Sequence, residues 1–157
     1  MFFQNILGMN HVHDTTQGDL HVKGLLSITN STIRSAEVIG KLTIDSSRVE
    51  HGLKVTGLLD GSGITADSIV ITNATKATLQ NSTIHGDISA ENRQQTEGDA
   101  PTIILDGTIV SGDIVFDPIR KGHLELRNGA CVLGRIINQD NVVNPGDTPG
   151  LPGCITQ

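Results

Sequence analysis

Apolar residues recur along the chain in pairs separated by a short polar turn. The stretch 79–88, Leu-Gln-Asn-Ser-Thr-Ile-His-Gly-Asp-Ile, shows this pattern, with apolar residues at Leu79, Ile84 and Ile88. Variants of it occur at 44–49, 59–64, 105–109 and 126–132. Because the motif recurs along the chain, the sequence predicts a coil in which each copy of the motif contributes one turn.

Between the polar turns, apolar residues alternate with other residues at a spacing of two. This alternation predicts short β-strands, and it occurs at 26–28, 42–44, 53–55 and 69–71. The segments between them are rich in Gly, Asn, Asp, Ser and Thr, which favour tight corners. Three short strands per step, each pairing in parallel with its counterpart one step away, predict an all-β, single-domain, three-sided parallel β-helix.

The apolar residue before each tight turn marks the step of the coil. The markers lie at spacings of 16, 15, 20, 26 and 21 residues, and they predict about six turns after a degenerate first turn over 9–22. These markers are Ile28, Ile44, Leu59, Leu79, Leu105 and Leu126.

The pattern divides the chain into an apolar N-terminal segment, 1–8, a β-helix domain, 9–140, and a Pro/Gly-rich tail, 141–157. Insertions at 91–100 and 117–123 are expected to share one corner of the coil and to project as neighbouring loops. Repeat proteins often place binding residues in such loops. The candidate binding residues here are Arg93, Glu97, Asp99, Asp117, Arg120, Lys121 and His123.

The amino-acid composition argues against some classes of partner. A formal net charge of −6 with only 11 Lys and Arg argues against nucleic acid. No apolar run reaches the roughly 18 residues of a membrane span, and the start lacks a signal peptide's features, which predicts a cytoplasmic protein. We expect no cofactor. The spacing of Cys131 and Cys154 does not indicate a metal site or decide a disulfide, and Cys131 is expected to be a small buried apolar side chain.

Four charged residues each follow a glycine and precede an apolar strand residue: Asp19, Asp87, Asp113 and Arg135. Asp87 and Asp113 are expected to lie one turn apart, near the roughly 5 Å that separates the carboxylates of retaining glycosidases. The alternative is a surface ladder in which Arg135 neutralises Asp113. The chain has no Trp or Tyr for a sugar platform, so we expect no catalytic residues and keep this pair as the alternative.

A second column of polar residues is predicted at the centre of the tight turns, where side chains could hydrogen-bond from turn to turn. Its predicted members are Asn30, Ser46, Gly61, Asn81, Gly107 and Asn128. Three stretches, at 30–32, 73–75 and 81–83, also match the N-glycosylation acceptor. In the absence of a secretion signal, the structural interpretation is favoured.

His11 and His13 would point to the same side of a strand, with further His and Asp residues nearby in sequence. They are the candidate ligands for a divalent metal. No third ligand has diagnostic spacing, and the alternative is a pair of exposed histidines on the first turn, so we expect no metal site.

The motifs Gly86-Asp-Ile88, Gly112-Asp-Ile114 and Gly129-Ala-Cys-Val-Leu-Gly-Arg-Ile136 on short strands resemble the bactofilins, bacterial polymer-forming cytoskeletal proteins. The resemblance covers roughly 18–138. It implies a right-handed β-helix that joins end to end into filaments without nucleotide, so that the partner is a second copy of the chain. It also implies that the apolar N-terminus can touch the inner membrane, through Phe2, Phe3, Ile6 and Leu7.

Two functions therefore stand as hypotheses. The favoured one is a non-enzymatic scaffold that self-associates through the terminal turns of the coil, whose strand edges either are capped or template further pairing. The alternative is a small carbohydrate-binding or carbohydrate-active protein that uses the loop corner. A left-handed hexapeptide-repeat acyltransferase is disfavoured because steps of 18 residues are not sustained.

Overall fold

The structure, a computed structural model, describes the backbone of residues 3–91, 101–118 and 121–143, and their side chains except at 3–9, 73–75 and 139–143. Regular structure in these ranges is entirely β-strand, as predicted, and neighbouring strands pair in parallel. The strands are β1 (Phe3–His13), β2 (Thr16–Thr29), β3 (Thr32–Asp45), β4 (Arg48–Ser62), β5 (Thr65–Gln80), β6 (Thr83–Ile84), β7 (Ile88–Glu91), β8 (Thr102–Asp106), β9 (Ile109–Val110), β10 (Ile114–Phe116), β11 (Gly122–Arg127), β12 (Cys131–Val132), β13 (Ile136–Ile137) and β14 (Gln139–Val143).

Each turn of the coil has three sides. Strand β5 runs through a whole turn and pairs at its start with β6, in its middle with β7 and near its end with β8. The next turns repeat this order, so we name the sides by these strands. The first side contains β6, β9 and β12, the second β7, β10 and β13, and the third β8, β11 and β14. The predicted parallel coil of about six turns is confirmed, whereas its hand stays a prediction.

The register corrects one marker of the repeat. Ile44 pairs with Gly61, and Gly61 pairs with Leu79, so the steps there are 17 and 18 residues. The sequence pattern put the marker at Leu59, which instead pairs with Leu42 and gave steps of 15 and 20. The coil is therefore more regular over its first turns than the marker spacing suggested, and the longer steps begin after β5.

The boundaries of the coil also differ from those predicted. Residues 3–8 were expected to precede the repeat, but they form the first half of β1 and pair in register with β2 from Asp19 onward. At the other end the strand pattern was expected to stop at residue 141, whereas β14 continues to Val143 and pairs with β11. The tail beyond Val143 lies outside the described residues.

The core is a set of apolar columns that run along the coil, one residue per turn. The second-side column places Phe116 over Ala90, so that a large side chain stacks on a small one. Phe116 is fully buried, and its ring occupies the space that a side chain on Gly122 would need. The other largest fully buried side chains are Leu20, Leu26, Ile28, Ile33, Leu42, Ile44, Leu53, Ile64, Ile69, Ile71 and Leu79.

The corner between the third and first sides requires a left-handed backbone conformation. Seven residues there have φ between 48° and 62°, a range in which Asn, Asp and Gly are favoured. The predicted polar column is confirmed except at one place, because Gly63 occupies the corner and Gly61 lies in the core column. The corner residues are Asp14, Asn30, Ser46, Gly63, Asn81, Gly107 and Asn128.

A ladder of buried hydroxyl groups lies one residue after this corner. The amide of Ser31 donates to the Ser47 hydroxyl at 3.0 Å, and the amide of Ser82 donates to the Thr108 hydroxyl at 3.2 Å. Each hydroxyl in turn donates to a carbonyl two residues earlier in its own turn. Each hydroxyl therefore gives a buried backbone amide its acceptor and adds a second hydrogen bond to a carbonyl that already accepts a backbone amide.

Removing one of these hydroxyls is expected to destabilise the coil. Ser82→Ala leaves the Ile64 amide without its acceptor at 3.1 Å, whereas the Gln80 carbonyl loses the Ser82 hydroxyl at 2.8 Å but still accepts the Gly63 amide. We expect a loss of about 1–3 kcal/mol in the free energy of unfolding, measured by chemical denaturation. Ser82→Thr keeps the hydroxyl, as Thr108 does one turn later, and Ser27→Ala on the outside of β2 serves as a surface control. Equal stability of Ser82→Ala and Ser27→Ala would contradict a supporting role for the ladder.

Candidate functional site

The glycine-aspartate motifs form a hydrogen-bonded ladder on the second side of the coil. Ile88 pairs with Ile114, so Asp87 and Asp113 lie one turn apart, as predicted. The amide of Asp113 donates to Oδ1 of Asp87 at 2.7 Å, and the amide of Arg135 donates to Oδ1 of Asp113 at 2.8 Å. Each aspartate thus holds the backbone of the following turn.

The glycine in each motif is explained by the same contact. A Cβ on Gly112 would lie against the Asp87 carboxylate and the Gly86 carbonyl, and a Cβ on Gly134 would meet the equivalent atoms one turn later. Glycine therefore permits the close approach of two turns, and aspartate accepts the amide that this approach brings near. The following isoleucine, as in Ile114, is fully buried. The motif that suggested the bactofilin resemblance thus has a complete role in building the coil.

Asp19 lies in the same column of the coil as Asp87 and Asp113, but several turns away from them. Its register partner in the next turn is Ser35, whose hydroxyl donates to Oδ1 of Asp19 at 2.7 Å. Asp19 and Asp87 are four turns apart, about 19 Å at the usual strand spacing. Arg135, which was expected to neutralise Asp113 with its side chain, contacts that carboxylate through its backbone amide.

Exchange of the two carboxylates for amides separates their role as hydrogen-bond acceptors from any need for their negative charge. In Asp87→Asn/Asp113→Asn the side-chain oxygens can still accept the backbone amides, so we expect a change of less than about 1 kcal/mol in the free energy of unfolding. Asp113→Ala removes the acceptor and should cost more. Thermal and chemical denaturation of the three proteins tests this. Severe destabilisation by the Asn pair would show that the negative charges themselves are needed.

The two insertions leave the coil at one corner, between its second and third sides. Ala90 pairs with Phe116 before the insertions, and Thr102 pairs with His123 after them, so the two insertions start and end on neighbouring turns. Among the candidate binding residues, Lys121 is exposed, Asp117 and His123 are half-buried, and the amide of His123 donates to the carbonyl of Pro101 at 2.9 Å. The other candidates, Arg93, Glu97, Asp99 and Arg120, lie outside the described residues.

The histidines near the N-terminus do not converge on one point. His11 and His13 are exposed on the third side, and Nε2 of His13 lies 2.9 Å from Oδ2 of Asp14. His21 is on the second side, with Nδ1 3.5 Å from Oε1 of Glu37. No group of three His, Cys, Asp or Glu side chains that could hold a metal ion occurs in the described ranges.

An exposed apolar corner was not predicted from the sequence. Leu25, Ile39 and Leu58 have 43, 45 and 40% of their surface exposed. They flank the glycines at 24, 40 and 57, which have φ between 126° and 133°. A groove of about 410 Å³ lies beside Leu25 and is also lined by His11 and Lys41. The sequence contains a signal for this corner, because these three residues break the alternation of apolar and polar positions. The sequence alone does not distinguish such an exposed residue from a core residue.

The proposed membrane-touching residues fall at the start of β1. The backbone of Phe3, Ile6 and Leu7 lies in that strand, and Phe2 is outside the described residues. None of the described residues belongs to a helix that could span a bilayer. No family model, curated protein or solved structure matches this chain.

Proposed function

We propose that the protein is a non-enzymatic structural β-helix that self-associates through a terminal turn of its coil. The observation that carries the proposal is β1. All eleven of its residues pair with β2 on one edge, and β1 is the first strand of the sheet, with no second neighbour among the described residues. Its outer edge therefore presents backbone amide and carbonyl groups in the conformation of a paired strand.

An edge of this kind favours pairing with another chain. Unpaired backbone donors and acceptors on a long edge strand are a template for β-sheet addition, unless charge, proline or a covering segment blocks it. The sequence of β1 contains no proline, lysine, arginine, aspartate or glutamate. The two exposed side chains at its C-terminal end are the imidazoles of His11 and His13. The edge thus has little that opposes pairing.

The roles of the polar motifs also support a scaffold. The Asp87 and Asp113 carboxylates and the buried hydroxyls of Ser31, Ser82 and Thr108 hold one turn to the next. These residues therefore recur along the sequence because they hold each turn of the coil to the next one. A bacterial, bactofilin-like cytoskeletal role belongs to the same proposal and is supported by the Gly-Asp-Ile motifs alone. Contact with the inner membrane through residues 1–8 is part of it.

The runner-up function is carbohydrate binding at the loop corner. The observation in its favour is that the strands flanking the two insertions, β7 with β10 and β8 with β11, are paired, so the insertions start and end on neighbouring turns. Retention of the protein on immobilised glycans, lost on Lys121→Ala and His123→Ala exchange, would support it over the scaffold.

Self-association is tested by sedimentation velocity of the full chain over a concentration series. Species larger than the 16.6 kDa chain are expected to increase with concentration. His11→Lys/His13→Lys places like charges on the edge strand and should weaken association by at least about tenfold. The matched control is Ser27→Lys/Thr29→Lys, which adds the same charges in the same columns of the inner strand β2. A strictly monomeric wild-type protein would overturn the proposal.

A further inference from the structure

The exposed apolar corner is also the place where the lysines of the chain collect. Two outward columns flank the corner glycines, one on the second side of the coil and one on the third. Three of the five lysines lie in these columns, although they are far apart in sequence. From β2 to β5 the columns contain Lys23, Ile39, Thr56 and Thr72 before the glycines, and Leu25, Lys41, Leu58 and Lys76 after them.

The corner is positively charged although the chain as a whole is acidic. The side chains of Lys23, Lys41 and Lys76 are exposed. The first carboxylate in either column is that of Glu91, one turn after Thr72. Within the described residues, no ion pair joins these three lysines to a carboxylate. Their charge is therefore open to an anion from outside the chain.

The apolar side chains of the corner are interleaved with these charges. Leu25 and Leu58 lie two turns apart in one column, about 10 Å at the usual strand spacing, and Lys41 lies between them. Ile39 is in the same turn as Lys41, across Gly40, and next to Lys23 in its own column. Each of the three apolar side chains thus has two lysines as neighbours and keeps 40 to 45% of its surface exposed.

Apolar side chains and lysines that alternate on a convex corner match the interface of an anionic bilayer. Interfacial binding combines burial of apolar side chains with attraction of cations to anionic lipids. The long aliphatic part of lysine lets its charge stay among the headgroups while the apolar neighbours lie deeper. A protein partner matches less well, because protein interfaces are enriched in arginine and aromatic residues and depleted in lysine. From β2 to β5 these columns contain no arginine, phenylalanine or histidine.

We propose that the exposed apolar corner binds peripherally to bilayers that contain anionic lipid. The inference goes beyond the proposed function, because it concerns the side of the coil and not its ends. It requires neither self-association nor residues 1–8, and an assembly paired through β1 would leave this corner exposed. The residues that form the binding surface are Leu25, Ile39 and Leu58 with Lys23, Lys41 and Lys76.

The charge of the corner is tested by flotation of the full chain with lipid vesicles. We expect binding to vesicles of phosphatidylcholine mixed with phosphatidylserine, little binding to phosphatidylcholine alone, and release at about 1 M salt, where charges are screened within about 3 Å. Lys23→Gln/Lys41→Gln/Lys76→Gln should weaken binding about fivefold per lysine, roughly a hundredfold in all. The matched control, which removes three exposed cations elsewhere on the coil, is Arg34→Gln/Arg48→Gln/Arg135→Gln.

The apolar contribution is tested by Leu25→Thr/Ile39→Thr/Leu58→Thr. Threonine already occupies positions 56 and 72 of these columns, so we expect the strands to persist, and thermal denaturation checks this. The variant should bind anionic vesicles at least about tenfold more weakly. Ile109→Thr/Leu133→Thr removes side chains that are 44 and 56% exposed at another place on the coil, and it should bind as wild type does.

A wild type that does not float, or that binds neutral and anionic vesicles equally, would overturn the inference. So would corner variants that bind as well as wild type, since the contact would then belong to another part of the chain. If wild type did not float but the corner variants lost self-association in sedimentation velocity, the corner would be a contact between copies of the chain. A monomeric protein that binds anionic vesicles through the corner would overturn the proposed function and leave this inference standing.

Discussion

Gly40→Ala is expected to cause a larger loss of stability than any other substitution proposed for this chain. Gly40 has a φ of +133°, and a Cβ there would lie against the carbonyl oxygen of Gly24 and 2.9 Å from its carbonyl carbon. The obstacle is backbone that is itself paired, so it cannot move aside. The conformation costs about 1–3 kcal/mol and the overlap about 1–3 kcal/mol more. Chemical denaturation should show the sum or a failure to fold.

Gly129→Ala is the matched control for the overlap. Gly129 also has a positive φ, +77°, but a Cβ at that position would have no atom within 4 Å. Only the conformational cost remains, about 1–2 kcal/mol. The difference between the two variants measures how tightly successive turns approach at the corner of Gly24 and Gly40. Similar costs for both variants would show that the turns can separate there.

Phe116→Ala is expected to have the second largest effect. The ring is fully buried, stacks on Ala90 and fills the space above Gly122. Its loss leaves a cavity that a ladder of paired strands cannot collapse to fill, so we expect the free energy of unfolding to fall by about 3–5 kcal/mol.

Phe116→Leu keeps most of the buried apolar volume and is the control. It should cost less than about 1.5 kcal/mol, which distinguishes loss of volume from loss of aromatic character. If alanine were tolerated as well as leucine, the turn that carries the second insertion would not be packed as described.

The period-two alternation was sufficient to predict the fold, since inward apolar columns are what a parallel coil requires. The position of each corner was harder to predict, because a corner is marked in the sequence by a cluster of small polar residues and not by one residue type. Leu59-Asp-Gly-Ser-Gly-Ile64 shows the difficulty. The inward position there is Gly61, and the side chains of Leu79 and Ile64 fill the space beside it, 2.9 and 3.2 Å from where a Cβ on Gly61 would lie.

The roles of the polar residues could be predicted only in part. The column of Asp87 and Asp113 was visible in the sequence, but the amides that they accept belong to the next turn, and only the register shows them. The buried hydroxyls of Ser31 and Ser82 look in sequence like any serine of a turn. Cys131 was expected to be a small buried apolar side chain, and it is 7% exposed, although Ile109 one turn earlier in the same column is 44% exposed.

Hydrogen exchange with mass spectrometry, at low and high concentrations of the full chain, tests the central claim most directly. Association through β1 predicts that peptides from 3–13 gain amide protection as the concentration rises. Peptides from 131–143 should show little change, because the proposed contact uses the other end of the coil. No gain at 3–13, with protection appearing at 131–143 or at the apolar corner around Leu25 and Leu58, would contradict the account.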